Sequence, residues 1–201
     1  MAFRITPTSE LDAVNTLLSI IGEAPVNSIT GNTGVDVALA IQILNEVNVE
    51  VQSRGWHFNT DINILVNLDD DNKLPLASNV VSCDISTSAT TGGNVCYRNG
   101  YVYDLEKHTD IFEASLRVDQ VTIQKFDQLP EVIRKLIVTR AGRKFQARVV
   151  GSTELQGFTE IDEQLALVDA ERIDASTADY NILKGTNSVY SIINRPRRRT
   201  Y

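Results

Sequence analysis

The chain has 201 residues, of which 42% are hydrophobic, 22% charged and 6% aromatic. This length suits one medium domain, or a domain that carries an inserted one, and the apolar fraction is too high for a disordered chain. No apolar run approaches the roughly 18 residues of a membrane-spanning helix, and residues 1–11 show no secretion signal. We therefore expect a globular protein that folds in a cytoplasm, without a membrane anchor.

The net charge of −7 is unevenly distributed along the chain. The last seven residues, 195–201, carry +4, so the other 194 residues carry −11. An acidic body disfavours broad binding to nucleic-acid phosphates. The basic tail is either an arm that docks on an acidic surface or a solvated chain end, and its position alone does not decide between the two.

Two amphipathic helices are predicted in the first quarter of the chain. The first is capped by Ser9, and its apolar residues recur at helical spacing until Gly22 stops the run. The second runs from about 36 to 54 and ends at a glycine. Trp56 follows at once, and we expect it to be buried against the end of this helix.

The pattern then changes to short strands between 57 and 127. Asn99 and Gly100 suit the two positive-φ positions of a type I′ turn, which predicts a β-hairpin. We expect a small antiparallel β unit inserted between helices. Its strand candidates are 62–68, 80–85, 95–103 and 116–123. The first of them alternates strictly in polarity, as a half-buried strand does, through Ile62, Ile64, Val66 and Leu68.

Two further helices are predicted after the β unit, a basic one over 129–149 and an acidic one over 152–179. Their opposite charges indicate antiparallel packing through ion pairs, whereas nucleic-acid binding by the basic helix is the alternative interpretation. We expect one apolar stripe of the acidic helix to be buried. That stripe comprises Leu155, Phe158, Ile161, Leu165, Val168 and Ile173.

The residues offer little for metal or thiol chemistry. His57 and His108 lie far apart without metal-ligand spacing, so no metal site is expected. Cys83 and Cys96 do not form a disulfide framework. One interpretation pairs them across neighbouring strands, but a reducing cytoplasm favours two buried thiols.

Catalytic motifs are also missing from the sequence. It has no nucleophile elbow and no phosphate-binding loop. Asp69, Asp70 and Asp71 are candidates for the paired carboxylates of a glycan-degrading enzyme, or for a weak calcium site, although three adjacent acids between strands are typical of a solvated loop. No cofactor is expected. From the residues alone, the chain is an α+β protein of the interaction-module kind.

Five stretches in order along the chain resemble the tail tubular protein A family of short-tailed bacteriophages. The resemblance covers about residues 9–185 and departs from the family pattern at the acidic loop 69–72 and after Gly185. The five stretches are Leu11-Asp-Ala-Val-Asn15 with Ile21-Gly-Glu-Ala-Pro-Val26, Ile43-Leu-Asn45 with Val51-Gln-Ser-Arg-Gly-Trp-His-Phe-Asn59, Gly100-Tyr-Val-Tyr-Asp104, Leu129-Pro-Glu131, and Ile137-Val-Thr-Arg-Ala141 with Phe145.

The resemblance implies a structural virion protein without catalytic residues. It implies an adaptor or gatekeeper ring of about twelve copies that joins the portal to the tail nozzle around the DNA channel. Its partners would be the portal protein, the nozzle, other copies of itself and tail fibres, with DNA passing through without sequence-specific contacts. The protein would be assembled in the host cytoplasm and reside in the virion tail. A glycan-degrading tail enzyme and a DNA-binding protein are the alternatives.

Together these observations predict an α+β fold. A bundle of about four helices would form from 1–56 and 128–184, with an inserted antiparallel β domain over 57–127 and an extended C-terminal basic tail over 185–201. The expected partner-binding residues are Arg195, Arg197, Arg198 and Arg199 in the tail, Arg98, Asn99 and Gly100 at the hairpin tip, and Asp69, Asp70 and Asp71 in the acidic loop.

Overall fold

A computed structural model describes residues 6–31, 34–86, 93–149, 151 and 153–177. In the range 153–177, side chains are described only from residue 160 onward. Within these residues the chain forms four α-helices and two small antiparallel sheets, which confirms the predicted α+β class. None of the described helices is long and apolar enough to cross a bilayer. The helices are α1 Glu10–Ile20, α2 Val35–Gln52, α3 Glu131–Val149 and α4 Thr153–Thr177; the strands are β1 Thr60–Val66, β2 Val80–Ile85, β3 Val95–Arg98, β4 Tyr101–Asp104 and β5 Leu116–Thr122.

Helix α1 begins where the sequence predicts. Ser9 is its N-cap and forms a reciprocal capping box with Asp12, which satisfies backbone donors that a helix start leaves free. The turn after α1 is held by Asn15, whose side-chain amide donates to the Val26 carbonyl at 3.0 Å and accepts from the Val26 amide at 2.8 Å. These local bonds reverse the chain so that α2 packs against α1.

Helix α3 is the centre of the bundle, because α1, α2 and α4 all pack on it. Its fully buried Phe145 belongs to a core cluster to which all four helices contribute, and Trp56 closes that core at the end of α2 as predicted. The buried Arg134 donates to three backbone carbonyls, those of Leu129 at 2.8 Å, Thr8 at 2.6 Å and Asp127 at 2.5 Å. This side chain therefore fixes the start of α1 against the start of α3.

The β region consists of a three-stranded sheet in the order β1-β5-β2 and the β3–β4 hairpin. The hairpin turn matches the type I′ prediction, since Asn99 has φ 53° and Gly100 has φ 86°. A second, smaller core lies between these strands. It consists of Val66, Leu74, Cys83, Val95, Val102 and Val118.

Strand β1 forms, but the predicted burial of its alternating residues is wrong for two of them. Asn63 adopts a positive φ of 63°, and the pairing with β5 shifts register between Asp61 and Ile64. Such a bulge breaks the two-residue alternation of a strand. Ile62 and Ile64 are consequently exposed, and only Val66 at the end of the strand is fully buried.

The predicted buried stripe of α4 is also wrong where its side chains are described. Ile161, Leu165 and Val168 are 58%, 61% and 60% exposed, and Ile173 is exposed as well. The helix packs on α3 through small side chains instead, which allow a close approach. These are the buried Ala166 and Ala170.

A buried polar network joins the bundle to the three-stranded sheet. The amide of Gln52, which is 0% exposed, donates to the Asn48 side chain at 2.8 Å and to the Gln124 carbonyl at 2.9 Å, and it accepts from the Gln124 amide at 2.8 Å. Asn59 donates to the carbonyls of Gln52 and Thr122, both at 2.9 Å. Because these bonds connect the end of α2 with the end of β5, they set the orientation of the sheet on the bundle.

Candidate functional site

The hairpin tip displays one cation on a rigid support. Arg98 is exposed, and its guanidinium carbon lies 3.8 Å from the centroid of the Tyr103 ring. The carbonyl of Gly100 accepts a hydrogen bond from the Leu76 amide at 2.8 Å, which ties the turn to the preceding segment. Asn99 is exposed at the turn itself. The tip therefore presents a cation and a polar turn residue to solvent.

The acidic loop is built around one of its carboxylates. Asp69 accepts from the amides of Asp71 at 3.0 Å and Lys73 at 2.7 Å, so its side chain shapes the turn. Asp70 and Asp71 are exposed. Among the described residues no group of three metal-ligating side chains comes together. Asp69 thus has a local structural role, and the outward-facing charge of the loop comes from its two neighbours.

The segment that follows the acidic loop pairs with the hairpin. Lys73 bonds Asp110 at 2.7 Å, and its ammonium lies 5.4 Å from the centroid of the Tyr101 ring in β4. The hydrogen bond from Lys73 lowers the pKa of the Asp110 carboxyl, and the same bond raises the pKa of Lys73. Pro75 forms an isolated bridge with Tyr101. Segment 74–76 thus runs antiparallel to β4, so the acidic loop lies towards the Asp104 end of the strand and the hairpin tip lies at its Tyr101 end.

The basic side chains of α3 are engaged by acidic residues of both neighbouring helices. On the α4 side, Glu163 bonds Arg140 at 2.7 Å and Arg143 at 2.6 Å. On the α2 side, Glu50 bonds Lys144 at 2.5 Å. Arg148 similarly pairs with Glu46 at 2.8 Å. The prediction of charge-complementary packing is confirmed for α3 and α4, but α2 shares the cations, which leaves little free charge on α3 for a nucleic acid.

Among the acids that pair with the basic residues of α3, Glu163 has the least exposed side chain. Burial alone would raise the pKa of its carboxyl, but the hydrogen bonds from Arg143 and Arg140 outweigh that effect and hold the pKa below the usual value of 4.5. The carboxylate therefore stays ionised at neutral pH and links α4 to α3.

The structure shows two apolar surfaces that were not predicted from the sequence. One is the exposed stripe of α4, defined here as Ile161, Leu165 and Val168. The other is a groove of about 250 Å³ between α1 and α3, with Val132 and Val138 in its lining. The sequence did contain a sign that the α4 stripe is exposed. Ala166 and Ala170 form a second face of the helix, and this face can pack on α3 in place of the stripe.

The remaining predicted residues are partly outside the structure. The tail residues Arg195, Arg197, Arg198 and Arg199 lie outside the described residues. Cys83 and Cys96 are free thiols, the first buried and the second half-buried. Burial raises the pKa of the Cys83 thiol to about 12, so that it stays protonated and unreactive.

The fold and these surfaces define a class of protein. It is an α+β protein in which a helical bundle carries two small antiparallel sheets and presents apolar and charged surfaces to solvent. The family model described as Tube: Tail tubular protein matches residues 11–180. The chain therefore belongs to the tail tubular protein family and is a structural component of a phage tail. No curated protein matches the chain.

Proposed function

We propose that the protein forms a ring of about twelve copies that connects the portal to the tail nozzle around the DNA channel. Membership of the tail tubular protein family makes it a tail component. The observation that carries the proposal further is the exposed α4 stripe, since three large aliphatic side chains on one helical face leave the bundle incomplete as a monomer. In this arrangement the bundle forms the wall of the ring and the β region, as a separate domain, meets a second partner.

The test is co-sedimentation of the purified protein with isolated portal rings, with the copies per portal counted by mass. We expect saturation near twelve copies. Absence of binding at every salt concentration would contradict the adaptor role. Assays for glycan degradation and for salt-dependent DNA binding would then decide between the two alternatives.

We propose that the tail is an arm that pairs with acidic side chains of the portal or of a neighbouring copy. Its Arg195, Arg197, Arg198 and Arg199 suit such charge-assisted bonds. Deletion of 195–201 should weaken attachment to filled heads while the remaining protein keeps its circular dichroism spectrum. Complete tail assembly by the truncated protein would contradict the arm.

The channel itself is proposed to be acidic. Twelve copies at −7 each would give the ring a net charge of about −84, and acids facing the lumen would repel DNA so that it slides. We propose that these acids are on α4, such as Asp169, or on loops of the β region, such as the exposed Glu113. Charge reversal at both positions should slow genome ejection, and unchanged ejection kinetics would contradict the proposal.

The β region is proposed to contact the nozzle or the tail fibres through its two charged loops. The exposed Arg98 and Asn99 form the hairpin tip at one end of strand β4, and the exposed Asp70 and Asp71 belong to the acidic loop towards its other end. Arg98→Glu should reduce nozzle attachment and leave the portal-bound copy number unchanged. Loss of portal binding instead would place the hairpin at the opposite end of the protein.

A further inference from the structure

The α4 stripe is a continuous apolar surface. Ile161, Leu165 and Val168 follow one another at intervals of four and three residues, so they lie on one face of the helix. Each is more than half exposed, whereas the opposite face of α4 is buried on α3 through Ala166 and Ala170. Because Ala166, Ala170 and the half-buried Leu167 face the bundle, the three residues of the stripe are left available to a partner outside it.

A matching concave surface exists elsewhere on the same molecule. The groove between α1 and α3 is lined by Val132 and Val138, with Thr16 and Thr139 beside them and Lys135 among its residues. It lies beside the face of α3 that meets α4, and Val132 borders both. The side of α3 that meets α4 carries Ile133, Leu136 and Arg140.

The charges around the two surfaces are complementary. Glu160 and Asp162 flank the α4 stripe, are exposed, and pair with no basic side chain of the described residues. Lys135 in the groove is exposed and likewise has no acidic partner within the described part of the chain. Glu131, the acid that also lines the groove, is already occupied by bonds from the Thr8 amide at 2.9 Å and hydroxyl at 2.6 Å.

We infer that the α4 stripe of one copy docks in the α1–α3 groove of the next copy, with Lys135 facing one of the two acids that border the stripe, Glu160 or Asp162. The contact joins two different patches, so it is heterologous and each added copy presents a free patch to another. Such a contact closes into a ring when its rotation permits. The inference rests on the proposed ring and names its subunit interface.

The first experiment measures assembly on isolated portal rings. Leu165→Asp places a charge in the stripe and should reduce the copies bound per portal from near saturation to fewer than half. Val49→Asp is the matched control, because Val49 is a similarly exposed aliphatic residue on the outer face of α2, and it should assemble as the wild type does. Both variants change an exposed side chain, and circular dichroism verifies that both are folded.

The possible outcomes distinguish failure of the inferred interface from failure of the proposed ring. If the wild-type protein fails to assemble, the proposed ring fails. If the wild type and Leu165→Asp assemble equally well, or if Leu165→Asp impairs only nozzle attachment, the ring stands and the inferred interface is wrong. Impaired assembly of Val49→Asp alone would move the interface to α2.

Two further variants test the register of the contact. Lys135→Glu should raise the protein concentration needed for half-assembly about tenfold, which corresponds to roughly 1.4 kcal/mol. Combining it with Glu160→Lys and Asp162→Lys in the same chain should restore assembly. In a mixture of Leu165→Cys and Thr139→Cys copies, oxidation should give a cross-linked dimer that neither variant forms alone. Absence of both the rescue and the mixed cross-link would overturn the inference.

Discussion

The helical region and the β region of this protein are stabilised by cores of very different size. Among the described residues, twenty buried hydrophobic residues form the cluster shared by the four helices, and six form the cluster of the β region. Since hydrophobic stabilisation scales with the apolar area removed from water, we expect the bundle to be the more stable of the two. The β region depends correspondingly more on hydrogen bonds and on its attachment to the bundle.

The contact between the β region and the bundle is made by polar side chains, whereas the bundle core is apolar. The side-chain amides of Gln52 and Asn59 bond the backbone at the end of β5; the bonds of Asn59 are buried and those between Gln52 and Gln124 are partly buried. A network of this kind is specific in geometry but costly to break, because each lost partner leaves a buried group without a hydrogen bond. We therefore expect the two regions to respond differently to mutation.

The largest effect is expected in the bundle core. Phe145→Ala removes a fully buried ring from α3 and leaves a cavity, so the free energy of unfolding should fall by about 3–5 kcal/mol. Urea denaturation followed by circular dichroism measures this change. Val149→Ala, at the exposed end of the same helix, is the control and should change stability by less than about 0.5 kcal/mol. Comparable losses for the two variants would contradict the description of the core.

The second effect concerns the joint between the regions. Gln52→Ala leaves the Asn48 side chain and the Gln124 amide without their partner and should cost about 2–3 kcal/mol. Hydrogen exchange should show protection lost first in β5 and β1, with α3 still protected. Gln42→Ala removes an exposed amide from the same helix and should leave exchange in the β region unchanged. Uniform loss of protection across both regions would show that they unfold as one unit.

The third effect is a pH-dependent weakening of the contact between α4 and the bundle. Because the pKa of folded Glu163 is lowered from 4.5, its ion pairs stabilise the protein above that pH, and this contribution disappears as the pH falls through the folded pKa. Glu163→Gln should therefore cost about 1 kcal/mol at pH 7. At pH 3 the difference in stability between the variant and the wild type should be smaller than at pH 7.

The control for this prediction is Glu160→Gln, since Glu160 is exposed on the same helix and lacks a described basic partner. Its thermal denaturation midpoint should match that of the wild type at both pH values. If the Glu163→Gln variant kept the wild-type stability at pH 7, the ion pairs of Glu163 with Arg140 and Arg143 would contribute nothing to the free energy of unfolding.

The sequence allowed the elements of both regions to be predicted, because their signals are local. The capping residue Ser9, the turn residues Asn99 and Gly100 and the buried faces of α1, α2 and α3 all follow from rules that involve neighbours along the chain. The class of protein also followed from local motifs spread over the chain. The family match over 11–180 confirms it.

The surfaces depend on contacts that are distant in sequence, and there prediction failed. Period and hydropathy rank Leu165 above Ala166 for burial, yet tertiary packing on α3 selects the alanine face because small residues allow a closer approach. Asn63 gives no clear sign of the bulge that exposes Ile62. The buried network of Gln52 joins residues about 70 positions apart, a relation that no local pattern contains.

The smallest effect is expected at the hairpin, and it tests whether the β region tolerates backbone strain. Gly100 has φ 86°, and a Cβ added there would meet no atom within 4 Å, so Gly100→Ala introduces backbone strain without a clash. The cost should be about 1 kcal/mol. Asn99→Gly changes the other turn position, whose φ is 53°, in the favourable direction and should leave stability unchanged or slightly higher. Differential scanning calorimetry of both variants tests the expected loss for Gly100→Ala and the absence of a loss for Asn99→Gly.

The described core of the β region has six residues. If Gly100→Ala lowers the unfolding temperature of the β region while the bundle transition stays in place, the β region depends on this turn for part of its stability. Equal shifts of both transitions would instead mean that the buried network couples the two regions completely.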